Sequence, residues 1–474
     1  MNRASAGVYA VHSLLIAVLT ISVPAFTQAT EPSQARSHPT NCDSPYKKKT
    51  VSSKQLQAIV DSHGQWLEQR EKPEYQRADL CQADLRKAKL TGANLERARL
   101  EGADLRQANL YQSNLSQASL AGADLSRAVL EASNLVGADL RHARLSNANL
   151  SHAMADEAAL YDAVLTGARL VLSTFERAHF EGADLASADL TYASLIGTYF
   201  YGANLARATL ANTDLSEADL RRTILTKANL HQANLQGALL DSARLDGAQM
   251  VEAYLEGAYL DDTSLVGANL REASLRGADL RYANFRSSGL QQADLEGANL
   301  EGAQLVKAQV QSANLRMAIF YKAILDQADF RDARLSRAVL IGARGTGSIF
   351  TKADLSEIHA PNAQFHHAQF NEATMHSANL VGAELIGANF TRANLTHANL
   401  QEAHLQGATL SGADFTGSQL DKADLRDATL HGANLTSVSG LTQAQLDTAC
   451  VDEQTTLPKE LSRPAPCATA KTKR

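Results

Sequence analysis

From residue 80 to residue 435 every fifth residue is a repeat centre, and of the 72 centres 55 are Leu and 11 are Phe. The residue two before each centre is Ala in 61 of the 72, and the other 11 are Ser, Thr and Ile358. No insertion or deletion shifts this register between 78 and 437. A period this strict overrides local propensity, because each unit must bury its apolar residue against its neighbours.

An α-helix cannot use the pattern. Five residues advance the chain by about 500°, so successive Leu would drift around the cylinder by about 140° and most would face water. A straight strand fails as well, because side chains alternate with period 2 and an odd repeat sends consecutive Leu to opposite faces. The parity is mended only if the chain bends once per repeat. Ala at i−2 and Leu at i then point the same way from one short extended segment, and a turn at i+1 and i+2 returns the next pair to the inside. The chain must coil around its own Leu.

Geometry alone does not set how many segments close a coil. The units AGADL, EGANL, SGADF, QGATL and VGANL resemble the A(D/N)LXX units of the pentapeptide-repeat family, and the resemblance runs through 360 of the 474 residues. It implies an all-β fold, a right-handed quadrilateral parallel β-helix, in which four repeats make one coil of 20 residues. The 72 units would then form 18 coils, a rod roughly 85 Å long at the spacing of neighbouring strands. Residues 20 apart become stacked neighbours.

A solenoid exposes an unpaired coil at each end unless something covers it. At the N-terminal end residues 50–77 are expected to form a helical cap: Ser52 and Gln55 have capping-box spacing, and Leu56, Ile59, Val60, His63 and Leu67 recur on one helical face. His63 and Trp66 match the His-x-x-Trp-Leu string that precedes the repeats in many bacterial members of the family, and packing is the role expected of both. Residues 438–458 are expected to close the other end, with Thr442 and Gln445 as a second capping box and Leu441 and Leu446 as a staple. In some relatives a C-terminal helix pairs two rods, so the resemblance leaves open a homodimer through the C-terminal cap. Residues 30–49 and 459–474 are polar, contain Pro, and read as a disordered linker and tail.

Residues 1–29 read as a signal peptide: Arg3, an apolar run from Val8 to Val23, then Thr27 and Ala29 spaced for cleavage. The run is short for a membrane span, so cleavage is expected, with retention as an anchor the alternative. The expected location is therefore periplasmic or secreted, with no membrane span after cleavage, and the four Cys stand in a compartment where disulfides persist. In a rod of the length the resemblance implies, Cys42 can reach only Cys81, and Cys450 only Cys467.

No nucleophile elbow, phosphate-binding loop or metal motif is present, and a flat-sided rod offers no deep cleft, so the reading is of a non-enzyme with no cofactor and no metal. No two of the 14 His are 20 apart; His376 and His397 come closest, and a chance surface pair accounts for them. Position i−1 is Asp or Asn in 32 of 72 repeats, giving ladders such as Asn94, Asn114, Asn134 and Asp84, Asp104, Asp124. Asn and Asp bond nearby backbone at bends, so these are expected to be fold residues.

Relatives that mimic DNA raise the alternative of a nucleic-acid-mimicking inhibitor of an enzyme such as a topoisomerase. The repeats hold 31 of the 45 basic and 41 of the 51 acidic residues, a net of −10. The column Glu256, Arg276, Glu296, Arg316 alternates in sign, so no single-sign stripe runs down the rod, and no case for nucleic acid as a partner follows from charge. Tyr161, Tyr199, Tyr201, Tyr259 and Tyr321 lie within one position of centres 160, 200, 260 and 320, and so share one face. Exposed aromatics on a flat face suit an unknown protein or glycan partner. The sequence thus reads as a non-enzymatic secreted scaffold or protein-interaction module. Two stretches look weak: Met154–Ala155, and Gly345 to Ser348 followed by Ile358, Ala360 and Pro361. At the second of these a loosened or kinked coil is expected, or simple repeat decay.

Overall fold

The computed structural model describes residues 42–464, apart from 71 and 73. The proposed signal peptide, Cys467 and the end of the tail lie outside the described residues. Residue i−1 of each repeat pairs in parallel with the residue 20 further on, from Asp79 with Arg99 to Gln419 with Ser439. Four repeats therefore make one coil, and the chain winds as a right-handed, four-sided parallel β-helix.

One repeat shows why the bend works. Ala103 N–H donates to the Leu100 carbonyl at 3.0 Å, closing a turn in which Gly102 takes φ +61°. That is the left-handed position of a type II turn, where Gly carries no penalty. The same site in the next repeat is Gln107, at φ 60°.

The backbone donors can be followed one by one. Leu100 N–H donates to Ser119, Gly102 N–H to Ala121 and Arg99 N–H to Ala78, at 2.8, 2.9 and 2.9 Å. With the turn bond, four of the five amides are placed, and the amide at i+1 is left over. The side chain at i−1 takes it: Asn94 Oδ1 accepts from Glu96 N–H at 3.2 Å, and Asn134 from Val136 at 3.0 Å. A buried or half-buried amide without a partner is costly, which explains the Asp/Asn column as a backbone device. Elsewhere an Asp at i+1 one coil earlier does the job, as Asp156 does for Glu176 and Asp326 for Thr346, both at 2.9 Å.

Inside, the Ala and the Leu or Phe of the repeats are almost fully buried, apart from Ala88 and Ala93 of the first coil, which are partly buried. Phe330, Phe350, Phe370 and Phe390 form a continuous stack with ring centroids 4.9, 5.0 and 4.8 Å apart. The stretch expected to loosen or kink keeps its pairing, as does the weak place at Met154–Ala155. Arg344 pairs with Gln364, Ile349 with Gln369 and Met154 with Thr174 in unbroken register, and Ile358 is buried. Missing volume at Gly345 is filled from the neighbouring coil, because a Cβ there would lie 2.6 Å from Phe365 Cε1.

Helix α1 (Ser53–Glu68) lies over the first coil, with the Ser52–Gln55 capping box formed and Leu56 and His63 buried. His63 Nδ1 accepts from Ala78 N–H at 3.1 Å and its Nε2 meets the Glu96 carbonyl at 2.9 Å, so the ring ties the helix to both ends of the first coil. Trp66 stacks on His63 with centroids 5.4 Å apart. Residues 42–49, expected to belong to a disordered linker, instead run along the first coil. Lys48 N–H donates to Gln82 at 2.8 Å, Asp84 N–H to Lys49 at 3.0 Å, and Cys42 is bridged to Cys81 with α-carbons 5.8 Å apart.

At the other end helix α2 (Gln443–Leu446) forms its Thr442–Gln445 capping box, and Gln445 Nε2 donates to the Leu420 and Ala423 carbonyls, each at 2.9 Å. Cys450 and Thr456 then extend two faces of the sheet by pairing with Thr429 and Asn434. Of the tail expected to be disordered, Ser462 is held by Gln443, donating through its N–H at 2.9 Å.

Candidate functional site

The outward residues of each extended segment are i−1 and i+1, so each face presents two columns of side chains with one row per coil. The face built on centres divisible by 20 carries Tyr161, Tyr199, Tyr201, Tyr259 and Tyr321. Eleven of its outward residues are Tyr, Leu, Ile, Val or Pro, whereas on the other three faces six, five and four are Tyr, Met, Ile or Val. It is the least polar side of the rod.

The five tyrosines fall in three places, not one. Tyr161 and Tyr199 sandwich His179, with centroids 5.1 and 4.7 Å from the imidazole and planes within 18°. His179 Nδ1 is 3.0 Å from Glu181. Burial, then the Glu181 charge, pushes the Tyr161 phenol up to about 12, so it remains a donor. Tyr201 shares a row with Tyr199, and the guanidinium carbons of Arg221 and Arg222 lie 5.9 and 5.7 Å from its ring centre. Tyr259 stands three coils on, beside Leu239 one coil before it. Tyr321 stands three coils further, with the Lys322 ammonium 4.9 Å from its ring centre. Half-buried Ile319, Val339 and Ile341 surround it.

His179 and Arg221 were legible through the 20-residue rule, since each stacks on a tyrosine 20 away; applying the rule only to His–His pairs misses them. Tyr111, Tyr192, Tyr254 and Tyr282, at 36, 57, 47 and 54% exposure, are solvated but stand off this face or at its corner.

Charges on the rod are largely paired in place. In Asp84–Arg86, Asp139–Arg141, Asp219–Arg221 and Asp279–Arg281 the Arg at i+1 grips the Asp at i−1 of its own repeat at 2.6–2.8 Å. Arg276 bridges Asp294 and Glu296 at 3.1 and 2.7 Å. Among the described residues such pairing neutralises many of the carboxylates in place. His376 and His397 do meet, edge to face at 5.5 Å, but among the described residues no group of three His, Cys, Asp or Glu is placed to hold a metal. A hollow of about 330 Å³ under helix α1 is lined by Tyr46, Gln55, Ile59, Arg77 and neighbours.

Cys81, the outward i+1 residue of the first row, is the rod's end of the bridge to Cys42, and no cysteine among the described residues is free.

The family described as pentapeptide repeats matches the chain in twelve overlapping or adjoining stretches from residue 76 to residue 436. No curated protein matches it. Among solved structures it is similar to HetL, a pentapeptide repeat protein involved in heterocyst differentiation regulation from the cyanobacterium Nostoc, at 33% identity over 54% of this chain and 92% of that one, with a TM-score of 0.19. It is similar to a pentapeptide repeat protein from the Arabidopsis thaliana thylakoid lumen at 28% identity, over 23% of this chain and 67% of that one, TM-score 0.16. QnrB1, a plasmid-mediated fluoroquinolone resistance protein, aligns at 19% identity over 45% of this chain and 90% of that one, TM-score 0.19.

Proposed function

The chain belongs to the pentapeptide-repeat family, and from that premise we propose that it is a non-enzymatic, extracytoplasmic scaffold that binds protein through the face carrying Tyr161, Tyr199, Tyr201, Tyr259 and Tyr321. The concentration of aromatic and aliphatic residues on one of four otherwise polar faces carries the reading. Rows spaced by the β-sheet repeat form a rigid, flat surface, and rigid aromatic residues lose little entropy when they bind.

A protein partner fits better than a glycan. Sugars stack on open ring planes, whereas the planes of Tyr161, His179 and Tyr199 are turned against one another. What this cluster offers a partner is ring edges, phenol groups and the neighbouring Arg222. The extracytoplasmic placement is supported by the Cys42–Cys81 bridge, which an oxidising compartment preserves. No helix among the described residues is long and apolar enough to cross a membrane.

The test is capture from an extracytoplasmic extract on immobilised protein, comparing wild type with Tyr199→Ser/Tyr201→Ser and with Tyr192→Ser as an exposed control off the face. Loss of a captured protein in the first variant alone supports the reading. Equal capture by all three contradicts it.

A further inference from the structure

We propose that the first occupant of this face is a second copy of the same chain, laid alongside it as a parallel dimer with its two-fold axis running along the rods. The inference rests on the reading of this face as the interaction surface and names its partner.

The argument is one of symmetry. A two-fold axis parallel to the rods, lying between two such faces, keeps every row in register and exchanges left for right. The i−1 residue of a row then meets the i+1 residue of the same row in the other copy. An isologous interface of this kind requires each row to be complementary to itself.

The rows meet that requirement. Asp219 would face Arg221 of the second copy and Arg221 its Asp219, so each clamp closed within a chain at 2.6 Å becomes half of a four-membered network. Asp279 and Arg281, paired at 2.7 Å, repeat the arrangement three coils on. Apolar rows match apolar ones: Tyr199 would face Tyr201, Ile319 would face Tyr321, and Val339 would face Ile341. By contrast, on the face holding Asp294 and Glu296 the same operation sets carboxylate against carboxylate.

Area agrees with a stable pair. A face about 80 Å long and about 10 Å wide covers roughly 800 Å² per copy, the size of a standard specific interface. Two rows oppose association. Asp241 and Asp261 stack one coil apart, Asp261 N–H donating to Asp241 at 3.3 Å, and would face Leu239 and Tyr259.

Sedimentation velocity on the full chain across the micromolar range tests the inference. A dimer is expected, and Val339→Glu/Ile341→Glu should weaken it at least tenfold. Arg221→Glu, which sets a second carboxylate against Asp219, should weaken it too, and adding Asp219→Arg should restore it by reversing the row without breaking its self-complementarity. Asp241→Asn/Asp261→Asn should tighten it. Circular dichroism confirms that each variant is folded. Mixing a chain carrying Ile319→Cys with one carrying Tyr321→Cys should give a crosslink between copies.

A chain that stays monomeric at every concentration overturns the inference, as does a dimer indifferent to all of these changes, which would place its contact elsewhere, such as the caps. If a monomeric chain still captures a partner through Tyr199 and Tyr201, the dimer falls and the scaffold reading stands. If the face dimerises and nothing else binds it, the dimer stands and the wider reading falls.

Discussion

Phe365 occupies the room that Gly345 leaves empty: a Cβ built on Gly345 would lie 2.6 and 2.7 Å from Phe365 Cε1 and Cδ1. The two residues are 20 apart, so a missing centre in one coil is filled from the next. Phe365 in turn packs edge-on against Phe350 and Phe370 at 5.6 and 5.7 Å. Phe365→Ala should therefore cost about 3–5 kcal/mol, as large-to-small core changes do. Gly345→Leu alone should also destabilise by overpacking, while Gly345→Leu with Phe365→Leu should recover most of the loss. Denaturant unfolding of the three variants checks this, and a double variant no more stable than Gly345→Leu alone would contradict the compensation.

A second expectation concerns the Asp/Asn column. Asn134→Ala removes the acceptor of the Val136 amide, and should cost about 1 kcal/mol. Adding the missing acceptor, as in Val129→Asn, should stabilise by a similar amount. Amide exchange at Val136 and at Glu131 reads the two effects locally.

The pH response of the N-terminal cap follows from His63. Burial, together with the Arg77 charge, lowers its pKa below 6.5, against the opposing pull of the Glu96 carbonyl and charge. The folded cap needs the neutral ring, whose Nδ1 accepts from Ala78. A lowered folded pKa means that the unfolded cap binds the extra proton, so the stability it supplies is complete above about pH 6.5 and is lost as the pH falls towards the lowered value. Trp66, the only tryptophan, stacks on His63 and reports the change. Its emission should titrate below pH 6.5, and His63→Gln should abolish that titration.

Loss of the Cys42–Cys81 bridge should act only on the N-terminal end. The Cys42–Cys81 bridge closes a span of 39 residues, worth about 3–4 kcal/mol in the chain-entropy model. Because each coil touches only its neighbours, Cys81→Ser should raise exchange and proteolysis near residues 42–99 and leave the central coils unchanged. Peptide mapping without reductant reads the same bridge, and also whether Cys450 is joined to Cys467, which lies outside the described residues. A Cys42–Cys450 link would contradict both pairings.

How much of this was legible in the sequence depends on the period. The five-residue period of Leu and Phe excluded helix and straight strand, and the 20-residue rule then placed the paired i−1 residues of successive coils. Gly345 misled because a small centre was weighed alone, whereas its volume is decided by Phe365 in the adjoining coil. Residues 42–49 misled because polar composition reads as linker, whereas the backbone pairing of Lys48 with Gln82 and of Asp84 with Lys49 shows that they continue the coil. On the binding face the tyrosines could be assigned to a side, but their division into three places, and the stacking of His179 between two of them, depend on which neighbours fill each row.

The measurement that bears most directly on the account is the affinity of a captured protein partner for wild type, Tyr199→Ser/Tyr201→Ser and Tyr192→Ser. The paired change removes two half-open rings from a sheet face and should leave thermal unfolding within a few degrees of wild type. Affinity should fall at least tenfold, about 1.4 kcal/mol, for the paired variant and stay unchanged for Tyr192→Ser. Unchanged affinity in the paired variant, or the same loss in both, would contradict the assignment of this face.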